Sequence, residues 1–185
     1  SLYEEQFGVM PGQNTNAGVI AFLCGSSHGD SIASLYYNAL MKIYVLGSNS
    51  FVHDMVAAKN KLCELGFDGW IHPLYIEHVN GTGIAFPINE KGERTESDEF
   101  KKAHDFIRQH YRHILESDAV LIVNNEKKGK KNYIGGNCLM EMGMAYVNNK
   151  KIFLLNDVPT ESAYIDEIKA MSPICLNGKL ENIRI

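Results

Sequence analysis

Two short apolar runs, Ala119-Val120-Leu121-Ile122-Val123 and Lys151-Ile152-Phe153-Leu154-Leu155, bracket a glycine-led segment. That segment is Gly135-Gly136-Asn137-Cys138-Leu139-Met140-Glu141-Met142-Gly143-Met144-Ala145-Tyr146. Neither run alternates polar with apolar residues, so each reads as a strand buried on both faces, and the segment between them reads as a helix. Strand, loop, helix and strand make a βαβ unit, which belongs in a parallel sheet covered by helices on both sides. In such sheets the loops leaving the carboxyl ends of the strands build the ligand site. Glu141 falls on that edge, in the first turn and a half of the predicted helix, where backbone N–H groups and the helix dipole favour a carboxylate. A dipole-complementing role is the plain reading of such an acid. Against it, Cys138, Met142 and Ala145 share a helical face with Glu141, which points to a partly buried side chain. The paired glycines Gly135 and Gly136 also allow a ligand or a neighbouring backbone to come close.

The chain has 185 residues, enough for one domain with a real core. Its net charge of −4 is spread over both signs, which argues against a general nucleic-acid surface. No apolar run approaches the length of a membrane span, and the N-terminus lacks the basic start of a secretory signal. Cys24, Cys63, Cys138 and Cys175 are scattered, with no paired spacing. They read as reduced, mostly buried thiols of a cytoplasmic protein. The histidines show no spacing suited to zinc, and no metal or cofactor is expected. His110 and His113 are read as polar residues on a helix face.

Met41-Lys42-Ile43-Tyr44-Val45-Leu46 reads as the first strand of the main domain, followed by the tight loop Gly47-Ser48-Asn49-Ser50. This loop can present N–H groups and a hydroxyl to an anion. A helix from about Phe51 to Leu65 follows, ended by Gly66. A second strand is expected over Trp70 to Ile76, with Pro73 tolerated at a sheet edge. The irregular stretch from His78 to Thr95 suits a lid or an arm reaching a partner subunit. A helix from about Ser97 to Glu116 is expected to turn Phe100, Ala103, Ile107, Tyr111, Ile114 and Leu115 inward. Asp118 opens the central strand at the edge away from the site, where a capping or turn role suits it. That strand exits through Asn124, Asn125 and a lysine run, Lys127, Lys128, Lys130 and Lys131, readable as a solvated loop or as an attraction for phosphate. A short helix from about Glu161 to Met171, a strand at Ile174-Cys175-Leu176 and a terminal turn complete the pattern.

The fold class is therefore α/β: a five-stranded, doubly wound parallel sheet of flavodoxin- or Rossmann-like type, in order 2-1-3-4-5. Residues 41–185 form this domain. Residues 1–40 read as an N-terminal extension, or as an extra βα unit with a strand at Ala17–Leu23 and a helix at Asp30–Leu40. Ser1-Leu2 is compatible with a cloning remnant, and Met41 with a native start. Val19 to Ser27 is similar to the opening of lysine-decarboxylase-like phosphoribohydrolases, but nothing downstream continues that pattern.

Over roughly residues 41–177 the chain resembles the nucleoside 2-deoxyribosyltransferase superfamily, which includes deoxynucleoside 5′-monophosphate N-glycosidases. The resemblance is carried by Met41–Ser48, by Asp118–Asn124, and by Met140-Glu141-Met142-Gly143-Met144-Ala145 followed by Lys150–Leu155. It implies that Glu141 is a nucleophile attacking the anomeric carbon of a (deoxy)ribosyl group. Gly47, Ser48, Asn49, Asn124, Asn125, Gly135, Gly136 and Asn137 would lie around the substrate, a small-molecule nucleoside or nucleotide. A homo-oligomer in which a neighbour completes each site is implied as well. The chain departs from the family at two positions. The family's transferases carry an Asp, and its hydrolases a phosphate-contacting Ser, where Gly135 stands, and a further family Asp corresponds to His110. Glu77, His78, Glu126 and Asp157 are replacements expected on the site edge, with Asn124, Asn125 or Asn137 as hydrogen-bonding stand-ins.

Two function classes follow: an enzyme that breaks N-glycosidic bonds through a glycosyl ester on Glu141, or a nucleotide-binding and sensing module that keeps the fold without the chemistry. A flavodoxin-like FMN carrier is a weaker third reading, since no aromatic sandwich loop is evident.

Overall fold

A computed structural model describes residues 40–82, 101–102 and 105–184. The chain divides into two units, residues 1–39 and 40–185, and the architecture is that of the second. The strand and helix expected before residue 40 lie outside the described residues, as do the lid stretch beyond Thr82 and the start of the helix expected from Ser97.

Among the described residues, five strands form one all-parallel sheet in the order β2-β1-β3-β4-β5. They are β1 (Lys42–Gly47), β2 (Asp68–Trp70), β3 (Ala119–Val123), β4 (Lys151–Leu154) and β5 (Ile174–Cys175). Helices α1 (Val52–Glu64) and α2 (Pro73–Asn80) lie between the first three strands in sequence, with α3 (Phe106–Leu115) leading into β3. Helix α4 (Gly136–Val147) joins β3 to β4, and α5 (Ile165–Ala170) precedes β5. Alternate side chains of each strand enter opposite cores. Ile43, Val45, Leu121, Val123 and Phe153 pack with Met55 and Leu62 of α1 and Tyr75 of α2. Tyr44, Leu46, Val120, Ile122 and Leu154 pack with Ile114 of α3, Met142 of α4 and Ile168 of α5. Every residue of β3 is buried, which is why its sequence shows no polar alternation. The doubly wound order read from the sequence is the order found. No helix among the described residues is long and apolar enough to cross a membrane.

Helix α1 ends as its glycine predicts. Gly66 sits at φ +86°, Phe67 N–H donates to Leu62 C=O at 3.0 Å and Gly66 N–H to Cys63 C=O at 3.1 Å, a Schellman close. A Cβ on Gly69 of β2 would lie 2.6 Å from Lys59 C=O and 2.9 Å from Leu62 Cβ, so α1 can rest on this edge strand only over a glycine.

Two expectations fail in this half of the fold. The strand placed at Trp70–Ile76 ends at Trp70, and Pro73 opens α2 instead. Proline is well suited to the first helical position because the N–H it lacks would have no intrahelical partner. The His72 ring caps the same turn, accepting from Leu74 N–H at 3.3 Å, and Gly81 at φ +70° ends it. The inward face of α3 holds only in part. Ile114 is buried as expected, but its buried neighbours are Phe106 and His110, whereas Ile107 (48% accessible), Tyr111 and Leu115 are exposed. Phe100 and Ala103, assigned to the same face, lie outside the described residues.

Asp118 locks the amino edge of the sheet. Its Oδ2 accepts from Lys42 N–H at 2.7 Å, while its own N–H donates to Lys42 C=O at 2.9 Å. Replacing Asp118 by Ala is expected to lower stability by about 1–2 kcal/mol in urea unfolding, with Asn, which keeps an acceptor, recovering most of it. Equal losses in both variants would show that the carboxylate bond does not carry the effect.

Candidate active site

The strand order reverses direction between β1 and β3, and a cavity of about 280 Å³ opens beyond their carboxyl ends. The loop after β1 supplies one wall, beginning at Gly47. A Cβ there would lie 2.8 Å from Met55 Sδ and 3.1 Å from Val123 C=O, so a larger residue would have to displace Met55 and crowd the end of β3. Ser48 then caps the 3-10 turn Asn49–Phe51, accepting from Ser50 N–H at 3.4 Å. The Lys127 ammonium donates to Ser48 Oγ at 2.9 Å and sits 4.9 Å above the Tyr133 ring. Tyr75 of α2 donates to Asn49 Oδ1 at 3.2 Å.

The opposite wall is the start of α4. Gly135 is its N-cap and makes no side-chain cap bond, so the first N–H groups and the positive end of the helix lie at the cavity. Asn137 Oδ1 accepts from Lys101 Nζ at 3.3 Å. Glu141 is in the second turn rather than the first, too deep in the helix to serve as a cap. Its side chain is buried at 7% accessibility, and Cys138, Met142 and Ala145 are buried beside it on the face the sequence indicated.

What faces Glu141 is a histidine. His110 Nδ1 of α3 lies 2.9 Å from Glu141 Oε1 and 2.9 Å from the Tyr44 hydroxyl of β1. Burial, and then the adjacent Glu141 charge, push the Tyr44 phenol well above its ordinary range. Behind His110 the ring of His72 stacks in parallel, with centroids 5.6 Å apart. Both His72 nitrogens are committed: Nδ1 accepts from Leu74 N–H, so Nε2–H donates to Gln109 Oε1 at 2.8 Å. Burial is the main cause that lowers the His72 pKa to about 4; the Gln109 bond opposes it, and His110 and His113 add to it. His113, 4.1 Å from the Trp70 ring, is lowered chiefly by burial as well, against Glu116.

Seven of the nine residues singled out from the sequence, Gly47, Ser48, Asn49, Gly135, Gly136, Asn137 and Glu141, line this one cavity. Asn124 and Asn125 do not line it. Asn124 is buried, donating to Asp157 C=O and accepting from Asn156 N–H, both at 2.9 Å. Asn125 donates to Asp54 Oδ2 at 2.9 Å. Asn124 thus ties the loops after β3 and β4 together, and Asn125 ties the loop after β3 to α1. Of the lysine run, Lys127 reaches the cavity, while Lys128, Lys130 and Lys131 are exposed around a hairpin closed between Lys127 and Lys130. Glu77, His78, Glu126 and Asp157 are not on the cavity wall, whereas His110, Tyr75 and Lys101 are. The available signal for His110 was its alignment with a family acid, offset by its reading as a surface histidine.

The depressed His72 pKa carries a stability prediction. The unfolded ring takes its proton near pH 6.5 and the folded ring near 4, so the unfolded chain binds the extra proton first as pH falls. The contribution is full above 6.5 and is lost on acidification toward 4, by about 3 kcal/mol, with His113 acting in the same direction. Urea unfolding between pH 7 and 4.5 should show this loss, and His72→Asn, which keeps an N-cap acceptor, should flatten it. An unchanged slope in the variant would place the proton uptake elsewhere.

The chain matches no protein-family model and no curated protein.

Proposed function

We propose that this chain cleaves the N-glycosidic bond of a nucleoside or nucleotide, by hydrolysis or by transfer to another base, with Glu141 as nucleophile. The observation that carries the reading is the position of that carboxylate. It lies on the wall of a sugar-sized cavity at the topological switch of a parallel sheet, nearly buried and with one oxygen 2.9 Å from His110 Nδ1. In the first step a Glu141 oxygen bonds to C1′ as the C1′–N bond breaks, and the base leaves with the electron pair and takes a proton from solvent, matched by the proton that the attacking water or incoming base releases in the second step. In the second, water or another base attacks C1′ and breaks the ester, restoring the carboxylate. Splitting one displacement into two suits a site with a single enclosed carboxylate. Ser48, Lys127 and the first N–H groups of α4 form a cationic, donor-rich end suited to the phosphate or sugar hydroxyls. The resemblance described above supports the same chemistry, needs no cofactor, and goes with a cytoplasmic homo-oligomer.

A second reading has its own support. Among the described cavity residues Glu141 is the one carboxylate, so none of the others can act as a carboxylic acid toward the departing base. This favours a module that binds a nucleotide without turning it over. Release of free base from the deoxynucleosides and their 5′-monophosphates separates the two. Glu141→Gln is expected to lower the rate by at least about 10²-fold with the fold intact. Release that survives the substitution removes Glu141 from the chemistry, and tight binding without release in the wild type selects the binding module.

A further inference from the structure

We propose that Ser48, Lys127 and Tyr133 hold the 5′-phosphate of a nucleotide, so that a nucleoside 5′-monophosphate, and not the free nucleoside, is the molecule this cavity takes. Its standing as a substrate rests on the glycosidase reading above, whereas the phosphate site does not.

Three side chains on the cavity wall carry hydrogens that no described residue accepts. Ser48 Oγ accepts twice, from Lys127 Nζ at 2.9 Å and from Ser50 N–H at 3.4 Å. A hydroxyl has two lone pairs and one hydrogen, so Ser48 is left to donate its O–H outward. The Lys127 ammonium has three N–H groups and gives one to Ser48; among the described residues no carboxylate pairs with it. Tyr133 is held by its N–H bond to Asn125 C=O at 3.0 Å, with the same ammonium 4.9 Å above its ring, and its hydroxyl makes no hydrogen bond among the described residues.

Gly135 gives the phenol its place. A Cβ there would lie 3.1 Å from the Tyr133 hydroxyl and 3.3 Å from its Cε1, so a side chain at that position would press on the ring. Donors gathered around a positive charge suit a ligand that accepts through several oxygens and is itself negative. A phosphate monoester offers three such oxygens and up to two charges. A sugar hydroxyl brings a hydrogen of its own and leaves the ammonium charge unmatched. The other charge matters as well. Glu141 is the one carboxylate among the described cavity residues, and the six positions from Gly135 to Glu141 rise about 9 Å along α4. A phosphate beside Tyr133 is thereby kept apart from the carboxylate, with room for a sugar between them.

Calorimetric titration of the full chain carrying Glu141→Gln tests the site, with the deoxynucleoside 5′-monophosphates, the matching nucleosides and inorganic phosphate as ligands. A monophosphate should bind at least about 10-fold more tightly than its nucleoside. Lys127→Met, added to the same protein, should bring the two within about 3-fold, whereas Lys127→Arg, which keeps the charge, should retain the preference. Tyr133→Phe removes only the hydroxyl and should weaken monophosphate binding by about 3- to 10-fold. Equal affinity for nucleoside and monophosphate overturns the proposal, as does a preference that survives Lys127→Met. Inorganic phosphate bound as tightly as the monophosphate would give the site to free phosphate and overturn the nucleotide assignment. Base release by the wild type separates this proposal from the reading it builds on. Lys127-dependent binding of monophosphates with no base released from any ligand leaves the phosphate site standing and removes the glycosidase reading. Base released equally from nucleosides and monophosphates keeps the glycosidase reading and removes the phosphate site.

Discussion

The parallel ladder between β1 and β3 is the constraint on which the remainder depends. Its register pairs Ile43 with Ala119 and runs without a break to Gly47 with Val123, so the two strands finish level with each other. Because the chain leaves them in opposite directions across the sheet, the loops that follow diverge, and the space between them is the cavity. Asp118 secures the far end of the same ladder through Lys42 N–H. A slip of one residue would exchange the two cores, sending Tyr44 away from His110 and Ile43 into its place. The chemistry of one edge is thus tied to a pairing made mostly of Val, Leu and Ile backbone.

Within that frame the polar groups are stable only together. A lone ionised carboxylate at the burial of Glu141 would cost several kcal/mol, more than one hydrogen bond returns. His110 and Tyr44 are likewise unfavourable in an apolar core unless their polar atoms are met. The three sit on separate elements, α4, α3 and β1, and each supplies what the others lack. Neighbouring rings complete the arrangement: Trp70 lies 4.9 Å from Tyr44, and the His72 ring is parallel to that of His110 with centroids 5.6 Å apart.

The sheet was legible because its strands are short, continuous and apolar, and only a two-sided cover accommodates such runs. Glu141 was legible for a related reason: an acid on the same helical face as Cys138, Met142 and Ala145 is out of place unless something meets it. What faces it could not be read, because α3 offers two stripes at helical spacing. Ile107, Tyr111 and Leu115 make the more hydrophobic stripe, and Phe106, His110 and Ile114 the one that is buried. The outcome turned on a specific pairing of His110 that hydrophobicity does not register. At Pro73 the reading failed through weighing the residue against a strand, when the same missing N–H suits the first turn of a helix. Asn124 and Asn125 were sound as residues at a carboxyl edge, but composition does not distinguish an amide that faces a ligand from one that staples two loops.

The brevity of the outermost strands has a consequence for how copies of this molecule meet. β2 spans Asp68–Trp70 and is cut off by the helix that Pro73 opens, and β5 is only Ile174–Cys175. Strand addition needs a run of unpaired N–H and C=O groups, and these margins provide almost none. Among the described residues, the margins of the sheet therefore offer a second copy little backbone to extend, and β2 carries the exposed charge of Asp68 as well.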